Sequence, residues 1–318
     1  MTKVVALAGG VGGAKLAHGL LSALLPGALT VLVNTADDFT LHGLRICPDL
    51  DTVLYTLAGL ANPDTGWGLA SDTFACLDML KRYGADGTWF QLGDRDFATH
   101  ILRTQRLTSG EPLSAVEEGL ARALGVSARL LPMCDQPVAT NVETDAGRLP
   151  FQEYFVHRHH SDPVRGLSFS GIAEAKPPDA LAPALAEADA VVFCPSNPLV
   201  SIGPILAVPG LRDMLLRCPA PRVAVSPIVG GRALRGPADT MLASLGHEVS
   251  AYGVAEIYRG LLSGMVIDEA DAALAPRIAD LGMAVEVAQT VMRTEADREA
   301  LARTVLAFCD RLREAPPG

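Results

Sequence analysis

Five apolar residues, Val4 to Ala8, run without interruption into Gly9-Gly10-Val11-Gly12-Gly13-Ala14-Lys15, and beyond the glycines Leu16, Leu20, Leu21, Leu24 and Leu25 recur at helical spacing. An unbroken apolar run of that length reads as a strand covered on both faces, and the recurrence reads as the buried stripe of a helix. The glycines therefore occupy a strand-to-helix turn. A second run, Leu29 to Val33, ends in Asn34-Thr35-Ala36-Asp37-Asp38, and a helical stretch follows from about Asp51 to Leu60. Two later runs, Ala190 to Cys194 and Arg222 to Ser226, also end in loops of small and polar residues. This alternation predicts an α/β fold: a doubly wound, mainly parallel, Rossmann-like sheet with helices on both faces and a small added antiparallel and helical region.

Other segments fill in the frame. Asp72 to Arg82 has the pattern of an amphipathic helix capped by Ser71 or Asp72, and Pro112 to Leu124 that of another, with Ser114 and Glu117 spaced as a capping box. Trp89 to Leu92 reads as a strand-like step ending in Gly93-Asp94-Arg95-Asp96. Between Arg129 and Val164 the runs shorten, alternate and acquire turn residues, which predicts an antiparallel hairpin or edge strands. The C-terminal third is expected to be helical over Asp239 to Gly246 and Arg277 to Arg313, with short strands near Val249 and Val285. No internal repeat or long linker is evident. The expectation is a single α/β domain over residues 1–318 with a β-rich insertion at about residues 128–170. The apolar positions of Leu301 to Leu312 suit either core or a subunit contact, and a homodimer is expected.

Composition narrows the function classes. A chain of 318 residues, 49% of them apolar, has material for one large core or two modest ones. The formal net charge of −10, with no basic cluster, argues against nucleic-acid binding. The six cysteines form no Cys-x-x-Cys pair and read as reduced, buried small hydrophobes. With no signal peptide before the first strand, and no apolar stretch of the roughly 18 residues that a membrane span requires, the expected location is the cytoplasm.

The chemistry concentrates at strand ends. Gly9, Gly10, Gly12 and Gly13 let backbone amides approach a ligand, and the helix N-terminus behind them carries partial positive charge, so a phosphate or pyrophosphate suits the turn; tight packing alone also calls for glycine there. Neither familiar phosphate loop is present, because Lys15 lies between Ala14 and Leu16 and no acidic residue stands where a dinucleotide fold needs one for ribose. Asp37, Asp38, Asp49 and Asp51 cluster after the second strand. Crowded carboxylates require a cation or a donor among them, and magnesium bound beside substrate phosphates fits, while helix capping is the structural alternative. Arg95 between two aspartates suits either a phosphate or a self-satisfied surface network. The rigid Pro195-Ser196-Asn197-Pro198 loop, with Gly203-Pro204 opening the next helix, presents amides to a base or phosphate. No Gly-x-Ser-x-Gly elbow occurs, and the group His157 to His160 reads as surface.

Taken together, Gly9 to Leu16, Asn34 to Asp38, Cys47-Pro48-Asp49-Leu50-Asp51-Thr52-Val53-Leu54-Tyr55, Leu92 to Asp96, Pro195 to Pro198 and Ser201 to Pro204 resemble the 2-phospho-L-lactate transferases of deazaflavin coenzyme biosynthesis, from Val4 to about Asp268. The resemblance implies transfer of a phospho-linked three-carbon acid, of the 2-phospholactate or phosphoenolpyruvate type, from a guanosine-diphosphate-activated donor to the ribityl hydroxyl of the deazaflavin Fo, with Mg2+ and release of GMP. It implies that the glycine turn and Lys15 hold the nucleotide phosphates, that Ser196 and Asn197 hold its nucleoside, and that Asp49 and Asp51 are the catalytic and metal-binding pair, with Asp51 near the reacting hydroxyl. Asn34, Asp37, Gln91 and Arg95 would hold the deazaflavin. Gln91 stands where relatives would carry a basic residue, so Arg95 is the fallback. The rival is a related group of nucleotide-sugar-binding regulatory proteins, which share the glycine turn and an Ala-Asp-Asp segment. That group follows the aspartates with glycine and serine, whereas Phe39-Thr40-Leu41-His42 stand here.

Overall fold

The apolar runs become the strands of one central sheet. In the computed structural model, which describes residues 2–160 and 162–314, β1 (Val4–Ala8) feeds α1 (Gly10–Ala23) and β2 (Leu29–Val33). A small hairpin, β3 (Phe39–Leu41) with β4 (Leu44–Ile46), leads to four helices: α2 (Pro48–Leu57), α3 (Ala75–Arg82), α4 (Asp94–Thr108) and α5 (Leu113–Ala123). After β5 (Arg129–Pro132), the strands β6 (Ala139–Thr144), β7 (Gly147–Pro150) and β8 (Val164–Ser170) form a separate antiparallel sheet. The chain then returns through α6 (Leu181–Ala186), β9 (Ala190–Phe193), α7 (Ile202–Ala207), α8 (Leu211–Arg217) and β10 (Arg222–Val225). A short hairpin, β11 (Ile228–Val229) with β12 (Arg232–Ala233), precedes α9 (Ala238–Ser244), α10 (Ala251–Ile257), β13 (Gly264–Asp268), α11 (Ala275–Ala279), β14 (Ala284–Ala288) and α12 (Glu295–Glu314).

Seven strands pair in the order β14-β13-β10-β9-β1-β2-β5, and every pairing is parallel. From β1 the chain builds outward to β2 and β5, then jumps back to β9 on the other side of β1. That reversal opens a crevice at the carboxyl ends of β1 and β9, which is where open α/β sheets bind ligands. Two apolar cores flank the sheet, one under α1, α2, α5 and α12, the other under α6 to α10. Helix α12 lies along α1, with Leu301, Val305 and Phe308 in the first core, so the C-terminal apolar stripe is interior. The approach is close: a Cβ on Gly19 would stand 2.1 Å from the Arg298 carbonyl oxygen.

Several local expectations differ from the fold. The run beginning near Ala128 is β5, a parallel edge strand of the main sheet, so the antiparallel part begins only at Ala139. Val249 lies in a turn before α10; the strand in that region is the fully buried β13. Trp89 to Leu92 forms no strand but ends a turn and runs on without regular structure to Gly93, the N-cap of the 15-residue helix α4. Asp72 does not cap α3. Its carboxylate accepts from the backbone amides of Arg95 (3.0 Å) and Asp96 (3.2 Å), at the start of α4, while Asp94 accepts from Ala75 (3.0 Å) and Cys76 (2.8 Å), at the start of α3. The two helices thus cap each other, satisfying amides that each would otherwise leave unpaired. The Ser114–Glu117 capping box is also absent, because Ser114 is held by Asp135 and Glu117 points into the interior toward Arg103.

Candidate functional site

The crevice predicted by the strand order is a cleft of about 910 Å³. Its centre is the glycine turn. Gly10 takes a φ of +61°, in the left-handed region that favours glycine, and its amide donates to Asp49 Oδ1 at 2.8 Å. The Gly9 amide donates to Ser196 Oγ (3.0 Å), and that hydroxyl donates to the Gly9 carbonyl (2.8 Å). A Cβ on Gly9 would meet Asp49 Oδ2 at 2.6 Å, and one on Gly12 would meet the Pro195 carbonyl at 2.3 Å. These glycines are therefore required by the loops after β9 and at the start of α2, which close onto the turn from both sides. Helix α1 begins there with a glycine N-cap and no acidic residue in its own first turn, and Asp49, from α2, takes the Gly10 amide at its positive end.

Of the residues singled out in the sequence, Gly9, Gly10, Gly12, Lys15, Asp37, Asp49, Asp51, Gln91, Ser196 and Asn197 line this one cleft. Gly13 lies just behind it, where a Cβ would stand 2.5 Å from Ser196 Oγ. Asn34 is fully buried one layer deeper, donating to Asp49 Oδ2 (2.9 Å) and to the Val200 carbonyl (3.3 Å), so it fixes the Asp49 carboxylate. Arg95 is not brought to the cleft wall. Its guanidinium donates to the Ala70 carbonyl and stands beside Asp72, on the exposed shoulder where α3 and α4 cap each other. Asn197 spends its carbonyl oxygen on the amides of Leu199 (2.9 Å) and Val200 (3.4 Å), which makes the loop after β9 rigid.

The acidic cluster is buried and under strain from like charges. Asp37, Asp38, Asp49 and Asp51 are each 6–8% exposed. Burial raises the Asp37 carboxyl well above its ordinary value, and the neighbouring Asp49 charge raises it further. Burial likewise lifts Asp49 to about 6, against the opposing donors Asn34 and Gly10, and Asp38 to about 7, against the guanidinium of Arg45 at 3.1 Å. Asp37 Oδ1 has no hydrogen-bond partner among the described residues. Asp51 differs from the others: both of its oxygens accept from Arg103, which is fully buried and whose Nε donates to Glu117 at 2.7 Å. Asp37 and Asp49 thus lack the cation that Asp51 already has.

Sequence reasoning missed the basic rim. Arg235, from the loop after β12, and Arg293, ahead of α12, line the cleft with Lys15, and Arg235 donates to the carbonyls of Asp64 (3.1 Å) and Thr65. Lys15 donates to the Met292 carbonyl (2.9 Å), and its ammonium is held below its usual range first by burial, then by the charges of Arg298 and Arg235. A site with this much positive potential beside a helix N-terminus suits a polyphosphate. Elsewhere its walls are apolar and aromatic, with Trp67, Phe90, Phe151 and Phe155, and suit a flat ring system. No signal local to the sequence marks Arg235 or Arg293, which reach the cleft only through the topology.

Comparison with known proteins gives the family and the fold. The family model described as 2-phospho-L-lactate transferase CofD matches residues 4–307. A protein named phosphoenolpyruvate transferase from Streptomyces coelicolor is 46% identical over 319 residues, covering 98% of this chain and 100% of the relative. Another of that name, from Thermobifida fusca, is 47% identical over 283 residues, covering 85% and 87%, and one from Mycolicibacterium smegmatis is 41% identical over 289 residues, covering 85% and 88%. Among solved structures, a member of the UPF0052 family from Bacillus halodurans superposes with a TM-score of 0.65 over 96% of this chain and 99% of its own, at 15% identity, a likeness of fold.

Proposed function

The chain belongs to the 2-phospho-L-lactate transferase CofD family and is a transferase of the phospholactate/phosphoenolpyruvate type; from that premise we propose that it moves phosphoenolpyruvate from a guanosine-diphosphate-activated donor to the deazaflavin Fo and releases GMP. Phosphoenolpyruvate is preferred over phospholactate because the relatives at 40–47% identity carry that name. The observation that carries the reading is the direct lock between Gly10 and Asp49, which puts an anion-binding helix start and a buried carboxylate on the same side of one cleft.

In this reading the guanosine nucleotide lies across the loop of Ser196 and Asn197, with its phosphates at the glycine turn, Lys15 and the basic rim. The aromatic wall takes the deazaflavin. An oxygen of the ribityl chain attacks the phosphorus that carries the three-carbon acid, the new P–O bond forms as the anhydride bond to GMP breaks, GMP leaves with the bridging oxygen, and the hydroxyl proton passes to solvent. Such a step needs alignment and charge neutralisation more than a covalent nucleophile. The unpartnered oxygen of Asp37, beside Asp49, is suited to a hard divalent cation; Asp51, already neutralised by Arg103, is less so. Magnesium held by Asp37 and Asp49 would neutralise the charge building on the pyrophosphate. Asn34 and the Gly10 amide then hold Asp49 in place, and Asp51 faces the acceptor from the cleft floor.

The test is to supply Fo and Mg2+ with the guanylylated forms of phosphoenolpyruvate, 2-phospholactate and phosphoglycerate in turn and to follow GMP. Release is expected with the phosphoenolpyruvate donor. No GMP from any donor, together with tight binding of a uridine-sugar nucleotide, would assign the chain to the regulatory group instead.

A further inference from the structure

Three polar side chains of the cleft converge without being needed by the phosphates. One oxygen each of Asp51 and Asp96 and one ring nitrogen of His100 lie within 4.8 Å of one another. All three line the cleft, and His100 is only 1% exposed. The tautomer of His100 is set from behind. Arg103 Nη1 lies 3.3 Å from His100 Nδ1, and since a guanidinium only donates, Nδ1 accepts and the ring proton sits on Nε2. Nε2 has no hydrogen-bond partner among the described residues; Asp96 Oδ1, 3.3 Å away, is outside bonding geometry and is engaged by the Tyr55 hydroxyl at 2.7 Å. A buried N–H left unpaired is costly, and the ring that carries it lies between two carboxylates, Asp96 on the Nε2 side and Asp51 Oδ2 3.7 Å from Nδ1.

We infer that His100, Asp51 and Asp96 form a hydroxyl-recognition cluster that reads the polyol chain of the acceptor, His100 donating to one hydroxyl oxygen and the two aspartates accepting from neighbouring hydroxyls. A divalent cation is the poorer occupant. Asp51 is already paired with the guanidinium of Arg103, and the nitrogen a cation would need carries the proton. Vicinal hydroxyls, each both donor and acceptor, match one donor set between two acceptors. The cluster would thus distinguish a ribityl-bearing flavin from the bare ring system, which the aromatic wall alone cannot do, because sites built to hydrogen-bond a hydroxyl reject analogues that lack it.

This inference rests on the acceptor being the deazaflavin of the proposed function, and it is tested by binding without turnover. Fluorescence titration gives dissociation constants for Fo and for an analogue whose ribityl chain is replaced by methyl, in the wild type and in His100→Phe, which keeps a planar ring and removes the donor. The wild type should prefer Fo by about tenfold or more, and His100→Phe should lose about tenfold for Fo while binding the methyl analogue unchanged, each tenfold being about 1.4 kcal/mol. Asp96→Asn, of the same size, gives the same comparison from the acceptor side should His100→Phe fold poorly. Equal affinity of the wild type for the two ligands, or an equal loss for both in the variants, would overturn the cluster's role and leave the transferase reading intact. No binding of either deazaflavin would instead count against the acceptor itself and against this inference with it.

Discussion

At the scale of single residues, the site is governed by where charge is left uncompensated. Asp38, Asp37 and Asp49 are buried carboxylates whose folded-state values are raised, so between roughly pH 4 and 7 the folded protein binds more protons than the unfolded chain. The stabilising contribution is complete below the unfolded carboxylate value near 4 and is lost as pH rises through the folded values. Thermal unfolding of the metal-free protein should therefore occur at higher temperature at pH 5 than at pH 8. Asp38→Asn, which removes the group raised to about 7, should flatten that slope, and an unchanged slope would contradict the assignment. Mg2+ should lessen the loss at pH 8, and its apparent affinity should fall as pH drops through about 6, where Asp49 takes up its proton. Asp49→Asn should lower turnover at least about a hundredfold at saturating donor while the far-ultraviolet circular dichroism stays unchanged, since it removes a carboxylate from the cation without removing side-chain volume.

At the scale of elements, Arg103 joins three helices: it stands on α4 and holds Asp51 of α2 and Glu117 of α5, with the Arg103 and Glu117 side chains at zero exposure and Asp51 buried at the cleft edge. Removing its charge leaves two buried carboxylates with no cation, so Arg103→Leu should destabilise by about 3–5 kcal/mol in urea unfolding. A loss below about 1 kcal/mol would show that the network is solvated. Nothing local in the sequence reveals this bridge, because its partners lie 52 and 14 residues away. The same limit explains the helices at the shoulder. Asp72 looks like the cap of the helix that follows it and Asp94 like the end of a strand-like step, yet Asp72 caps α4 and Asp94 caps α3, and the register of caps is decided by how two segments about 20 residues apart meet. By contrast, the strand, glycine turn and helix at the N-terminus were legible because a five-residue apolar run and a leucine stripe are self-contained signals. The strand Gly264–Asp268 was less so: its short run Met265-Val266-Ile267 begins in glycine and ends in aspartate, and it is buried only because β10 and β14 flank it.

For the whole molecule, the order of strands does most to make the site. Reversal of direction between β1 and β9 puts the glycine turn and the Pro195 loop side by side although 187 residues separate Gly9 from Ser196, and the carboxylates after β2 close the third side. The strand-end loops could be picked out in the sequence as chemistry-bearing, and their meeting place follows from the doubly wound pattern. The basic rim of Arg235 and Arg293 and the aromatic wall could not be picked out, because Arg235, Arg293, Trp67 and Phe90 stand in loops and Phe151 and Phe155 on a short helical segment after β7, all placed by packing rather than periodicity. Gly12→Val would drive side-chain carbon into the Pro195 carbonyl and should part the two loops, lowering stability by about 1–3 kcal/mol and removing nucleotide binding together. Loss of stability with nucleotide affinity retained would mean that the loops need not touch.

If glycine turn, Asp49 and the Ser196 loop act as one nucleotide and cation site, then the decisive measurement is a calorimetric titration of GDP into the protein with and without Mg2+, repeated on Asp49→Asn. Single-site binding that tightens at least about tenfold with Mg2+ in the wild type, and not in the variant, is the predicted result. GDP affinity independent of both Mg2+ and residue 49 would contradict it.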